Sequence, residues 1–140
     1  MKIAICGSMY FAKEMLRAKE QLEKMGHRTV LPEDVYLCLE KPDLNMDLKH
    51  CLETDIQKKC FDGIAESDAI LVMNIDKNGI KNYIGGATLM EIGLAMHLNK
   101  RVFLFNPAPE TKDLRYAHEV LLARPIILNG DLNKINHYEN

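Results

Sequence analysis

At 140 residues the chain has the length of one domain, and 47% apolar with 27% charged residues is the composition of a globular protein rather than a disordered one. A formal charge of −2 gives no electrostatic case for nucleic acid or an anionic membrane as partner. The opening apolar run, Met1 to Cys6, is too short for a signal-peptide core and stops at Gly7, and no later run approaches a membrane span, so a cytoplasmic protein is expected.

Ile3 to Cys6 is a continuous apolar run, the pattern of a strand covered on both faces in a parallel sheet, and Gly7-Ser8 ends it. Met15, Ala18, Leu22 and Met25 then recur at helical spacing, with Gly26 placed as a left-handed C-cap. Arg28 to Leu31 reads as a second strand closed by Pro32, and the stretch from Glu33 to Asn45 as an irregular loop suited to covering a ligand. Leu52, Ile56, Cys60 and Ile64 mark a second helix with Cys60 on its core-facing stripe, ending near Ser67. A third strand follows from Ala69 to Asn74. The segment Lys77 to Tyr83 reads as a solvated loop or, folded over the pocket, as a source of hydrogen bonds from Asn78 and Asn82 and a stacking face from Tyr83. A helix opens at Gly85-Gly86 and runs to about Leu98, Arg101 to Phe105 is a fourth strand, Lys112 to Leu122 a last helix, and Pro125 to Leu128 a fifth strand.

This alternation requires right-handed crossovers between parallel strands. It predicts a three-layer α/β domain of Rossmann-like or flavodoxin-like type with a five-stranded, mainly parallel sheet. Ligands in such folds lie at the carboxyl ends of the strands, so the loops after Cys6, Leu31, Asn74 and Phe105 are expected to share one pocket, with Asn74 and Asn106 among its ligand contacts. Four cysteines (Cys6, Cys38, Cys51, Cys60) show no C-x-x-C pair and five histidines no H-E-x-x-H, which argues for reduced structural thiols and against a metal site. No cofactor is implied.

The densest chemical signal is Gly85-Gly86-Ala87-Thr88-Leu89-Met90-Glu91. A glycine pair before a helix lets backbone N–H groups approach an anion, and the helix N-terminus adds partial positive charge. Glu91, one turn further on, would repel a phosphate held directly against it and better suits an electron-poor carbon further along the same ligand. A nucleoside or nucleotide meets both requirements. A carboxylate early in a helix also simply favours the macrodipole by about 0.3–1 kcal/mol.

Cys6-Gly7-Ser8 after the first strand, Asp68-Ala69-Ile70-Leu71-Val72 at the third, and Glu91-Ile92-Gly93-Leu94-Ala95 followed by Lys100-Arg101-Val102 occur in the order found in the nucleoside 2-deoxyribosyltransferase superfamily, which includes the deoxynucleoside monophosphate N-glycosidases; residues 1–140 resemble a single domain of that kind. The resemblance implies that Glu91 is the nucleophile at C1′ of the sugar, acting in hydrolysis or base exchange. It also implies that Gly7, Ser8, Gly85 and Gly86 hold a 5′-phosphate or the sugar. The chain departs from the family at three places. The first-strand tyrosine that positions the nucleophile is replaced by Ala4, for which Tyr10 or Tyr83 is the nearest substitute. The aspartate that contacts the base is replaced by Cys60, Asp62 lying on another face, and an acidic residue six before the glutamate by Gly85. Asp68 lies at the strand end remote from the pocket and suits a cap or turn.

Two function classes stand on these residues: an N-glycosidic bond enzyme acting on a nucleoside or nucleoside 5′-monophosphate, and a nucleotide-binding or sensing module without turnover. Related enzymes complete their sites across subunits, so a homodimer or an assembly of dimers is expected, with Met9, Met90 or Met96 on an exposed apolar surface.

Overall fold

Successive residues of a strand face opposite sides of its sheet, and that alternation sorts the core of this protein into two layers. In the computed structural model, which describes residues 1–139, β1 (Lys2–Cys6), β2 (Arg28–Val30), β3 (Ala69–Val72), β4 (Arg101–Leu104) and β5 (Ile126–Ile127) pair in the order β2-β1-β3-β4-β5, every pair parallel. Ile3, Ile5, Leu71 and Phe103 pack on one side against Met15, Ala18 and Leu22 of α1 (Ala12–Lys24). On the other side Ala4, Cys6, Ile70, Val72, Val102 and Leu104 meet Ile64 of α4 (Ile56–Ala65), Ile92 and Ala95 of α5 (Gly86–His97) and Val120 of α6 (Ala117–Leu122). The sheet is the middle of three layers, as the alternation of strands and helices requires. Gly26, with a positive φ of 93°, closes α1, and His27 N–H returns to the Leu22 carbonyl at 3.0 Å. No described helix is long and apolar enough to cross a membrane.

The stretch expected to be an irregular loop is helical. It contains α2 (Val35–Glu40), a 3-10 turn over Pro42–Met46 and, after it, α3 (Leu48–Thr54). Burial of Val35 and Cys38, three residues apart, anchors α2 to the α1 layer, and Asp47 caps α3 by accepting from the His50 N–H at 3.1 Å. The stripe from Leu52 to Ile64 is not one helix. Asp55 adopts a left-handed conformation (φ 51°, ψ 38°), which a short polar side chain tolerates, and separates α3 from α4. The break leaves Leu52 on the surface and turns Cys60 from the core towards the site described below. The last helix is shorter than its expected span, beginning only at Ala117, because residues 110–116 form turns. A terminal 3-10 segment, Leu132–Tyr138, buries Leu132 and Ile135 in the α1 layer. Met9 is buried rather than exposed, whereas Met90 and Met96 do stand on the surface.

β1 ends where the chain needs a glycine. Gly7 has φ 153°, and a Cβ there would sit 3.2 Å from the Met73 carbonyl oxygen. Backbone, not a flexible side chain, opposes it. Gly7→Ala is therefore expected to destabilise the fold by about 1–3 kcal/mol, read from the urea midpoint, and an unchanged midpoint would show that the β1 turn can relax.

Candidate functional site

From β1 the chain first adds β2 on one side and then β3 on the other, so the topological switch lies between the carboxyl ends of β1 and β3, where open α/β sheets bind ligands. A cleft of about 230 Å³ opens there. The turn after β1 contributes Gly7 and Ser8, the β2 exit Pro32 and Asp34, and the helical stretch beyond it Asn45 and Met46. α4 supplies Ile56, Gln57 and Cys60, and the segment from β3 into α5 supplies Lys77, Tyr83, Gly85 to Thr88 and Glu91. A smaller recess lined by Ala4, Leu31 and Lys59 shares Cys6, Pro32, Cys60 and Glu91 with it.

Glu91 projects from the second turn of α5 and is only 6% exposed. Burial, against the opposing effect of a hydrogen bond donated by Gln57 Nε2 to Oε2 at 3.2 Å, raises its carboxyl from the usual 4.5 to about 7. The break at Asp55 makes this contact possible, because α4 starts afresh at Ile56 and presents Gln57 to α5. Burial also raises Cys60 to about 12 and Cys6 well above the thiol range, with the Glu91 charge adding to both, so the two thiols beside the carboxylate stay protonated. Glu91 thus changes charge near neutral pH between two thiols that stay neutral.

A second cluster sits beside the start of α5. Lys77 Nζ donates to Ser8 Oγ at 3.1 Å and lies 5.3 Å and 5.2 Å from the ring centroids of Tyr10 and Tyr83. It makes no ion pair with any described residue. Ser8 Oγ also accepts from the Tyr10 N–H at 3.3 Å, which leaves its O–H proton free to donate outward. α5 has no side-chain cap at Gly85, and open space occupies the place of a Cβ at Gly86. An ammonium, a hydroxyl donor and an uncapped helix N-terminus therefore border one cleft, a favourable setting for an anion.

Of the residues singled out in the sequence, Gly7, Ser8, Tyr83, Gly85, Gly86 and Glu91 line the cleft. Three do not. Tyr10 is 58% exposed and turned outward against Phe11 and Lys77. Asn74 is fully buried: its Nδ2 donates to the Asn106 and Pro107 carbonyls, both at 2.9 Å, and its Oδ1 accepts from the Asn106 N–H, while Asn106 Nδ2 returns to the Asn74 carbonyl. The two asparagines clamp the ends of β3 and β4, so that the Asn74 side chain is held by backbone groups rather than turned to the cleft. The loop after β4 accordingly borders a separate recess with Lys81, Asn82 and Asn129. Asp62 pairs with Lys58 on the surface, and Asp68 accepts from the Lys2 N–H at 2.8 Å at the far end of the sheet.

The sequence reading passes over Asp34, Asn45, Gln57 and Lys77. Only Lys77 carries a local signal: Asn78-Gly79, both at positive φ, makes the tight turn of a small hairpin in which Lys77 and Ile80 exchange backbone hydrogen bonds. That hairpin folds Lys77 back over Ser8.

No protein-family model and no curated protein matches the chain. Among solved structures it is similar to that of the Clostridium botulinum CMP N-glycosidase BcmB, with a TM-score of 0.56 at 17% identity, covering 99% of this chain and 100% of that one. The two share a fold.

Burial of Glu91 has a measurable cost. Between pH 4.5 and about 7 the folded protein retains a proton that the unfolded chain has released, so stability falls as pH rises through that window. The loss reaches about 3 kcal/mol above it. Glu91→Gln is expected to be more stable than the parent at pH 8 and equal to it below pH 4.5, as chemical denaturation at the two pH values will show; a difference independent of pH would contradict the buried-carboxylate description.

Proposed function

We propose that the protein cleaves the N-glycosidic bond of a nucleoside 5′-monophosphate, with Glu91 as the nucleophile at C1′. The observation that carries the reading is the pairing of one buried carboxylate with an anion-favouring cluster at the start of the same helix. Glu91 lies five positions beyond Gly86, about 7.5 Å along the axis, a separation suited to a pentose held by its 5-phosphate. Lys77, the Ser8 hydroxyl and the free N–H groups of the first turn of α5 would take the phosphate. The likeness in fold to a CMP N-glycosidase lends the reaction class independent support.

Breaking the bond builds positive charge at C1′ and the ring oxygen as the base departs with the bonding pair. A carboxylate beside that carbon stabilises the charge and can close on it, giving a glycosyl ester that water, or another base, then opens. The Gln57 amide holds Oε2, orienting the carboxylate, and the raised carboxyl means that the anion dominates only above neutrality. Tyr83, whose ring lies over Gly85 in the same cleft, is the tyrosine available to stand beside the sugar in the role of the one that Ala4 replaces. We also propose self-association through the surface carrying Met90, Met96, Leu121 and Leu122, which the mass in solution at micromolar concentration tests.

Released base from a panel of ribo- and deoxyribonucleoside 5′-monophosphates is the direct assay. kcat/KM is expected to rise with unit slope up to about pH 7 and level off above it, since the anion is the active form; a fall above pH 7 would instead make Glu91 a proton donor. Glu91→Gln should lower kcat by about 10³-fold or more while leaving affinity within about tenfold. Binding by the parent without turnover would favour the sensing module. Lys77→Met should raise KM for monophosphates by about tenfold or more and leave the corresponding nucleosides little changed; equal losses for both would remove Lys77 from the phosphate.

A further inference from the structure

Asp34 is the unexplained polar group of the cleft. It stands at the β2 exit, its side chain is only 8% exposed, and Oδ2 accepts from His50 Nε2 at 3.0 Å. The other oxygen, Oδ1, is buried with no hydrogen-bond partner, and among the described residues it is the one buried side-chain oxygen or nitrogen in that condition. Leaving a carboxylate oxygen unpaired in this way is costly, and such an atom in a native fold calls for an absent partner. Asp34 does no structural work that would account for it: it precedes α2 without capping it through its side chain.

The position of Asp34 limits what that partner can be. A carboxylate does not take the phosphate, for which Lys77 and Ser8 are available elsewhere in the cleft, and Glu91 faces the sugar carbon. The part of the cleft left for the base is walled by Pro32, Asp34, Asn45, Met46 and Ile56. Met46 and Ile56 offer apolar surface to a ring face, and Asp34 offers one acceptor to its edge. Carboxylates recognise bases in this way, by accepting from an N–H.

Resting on the nucleotide reading above, we infer that Asp34 is the residue that reads the nucleobase, its free oxygen accepting a hydrogen bond from an N–H on the base edge while His50 holds the other oxygen. His50, tied to Asp34 from α3, is a positioning residue. The helical stretch between β2 and α4, which no sequence signal marks, thereby supplies the base contact that Cys60, a protonated thiol, cannot make. Asparagine is not an equivalent replacement: its carbonyl is needed by the His50 N–H, so its NH2 would face the N–H of the base.

Titration calorimetry tests this on the full chain carrying Glu91→Gln, which binds without turning ligand over. The ligands are the four common ribonucleoside 5′-monophosphates, CMP with a dimethylated exocyclic amine, UMP methylated at N3, and ribose 5-phosphate, which has no base. Asp34→Ala and Asp34→Asn are each expected to weaken the tightest-binding monophosphate at least tenfold while leaving ribose 5-phosphate unchanged, which also shows that the cleft remains folded. Methylation that removes the base N–H should cost the Asp34 protein a similar factor and the Ala variant nothing. Equal affinity of all three proteins for every monophosphate would overturn the inference, as would a matching loss for ribose 5-phosphate, which would move the contact to a sugar hydroxyl, or no binding of any monophosphate. Asp34-dependent binding by a parent protein that releases no base would remove the catalytic reading and leave the base contact in place.

Discussion

The structure turns on one carboxylate placed in low dielectric at the mouth of a parallel sheet. Glu91 is held there by α5, whose Ile92 and Ala95 are committed to the core beneath, so the helix cannot rotate the charge into solvent without emptying the layer that covers β3 and β4. The fold accepts the resulting cost near neutral pH, and only Gln57 among the described side chains donates to the carboxylate. A buried carboxylate that costs stability at the mouth of a cleft marks a candidate functional position. The neighbouring thiols contribute by staying protonated, which keeps a second negative charge away from Glu91.

Around this centre the cleft is divided by charge. Lys77 and the uncapped start of α5 make the end near Ser8 attractive to an anion, while Asp34 and its partner His50 lie where the β2 exit meets α3. On the proposed reading, a ligand with a phosphate at one end and a hydrogen-bond donor at the other is oriented by that asymmetry so that its glycosidic bond meets Glu91.

Much of the frame was legible in the sequence. The buried strands announce themselves as apolar runs, because in a parallel sheet both faces are covered, and the expected five-stranded, mainly parallel sheet proves parallel throughout. Glu91 and the Gly85-Gly86 turn were legible because the helix start and its carboxylate are adjacent in the chain. What was not legible depends on contacts between distant segments. Asn74 and Asn106 sit where ligand contacts are expected, yet both amide groups of Asn74 and the Asn106 Nδ2 are bonded to backbone across the β3 and β4 ends, which no spacing reveals. The break at Asp55 hides within a regular apolar stripe, because a left-handed aspartate interrupts a helix without the glycine or proline that usually marks it. Gln57 and Asp34 owe their places to that break and to the helical path after β2, so they emerge only with the fold.

The central claim, that Glu91 closes on C1′, fixes the stereochemistry of the product, because two displacements at one carbon restore its configuration. Turnover of a β-nucleoside 5′-monophosphate in the presence of methanol, followed by proton NMR of the methyl glycoside, whose anomeric configuration is locked, measures this directly. The account requires the methyl β-glycoside 5-phosphate, formed with retention. An α-glycoside, formed by direct attack of the acceptor on the substrate, would contradict it.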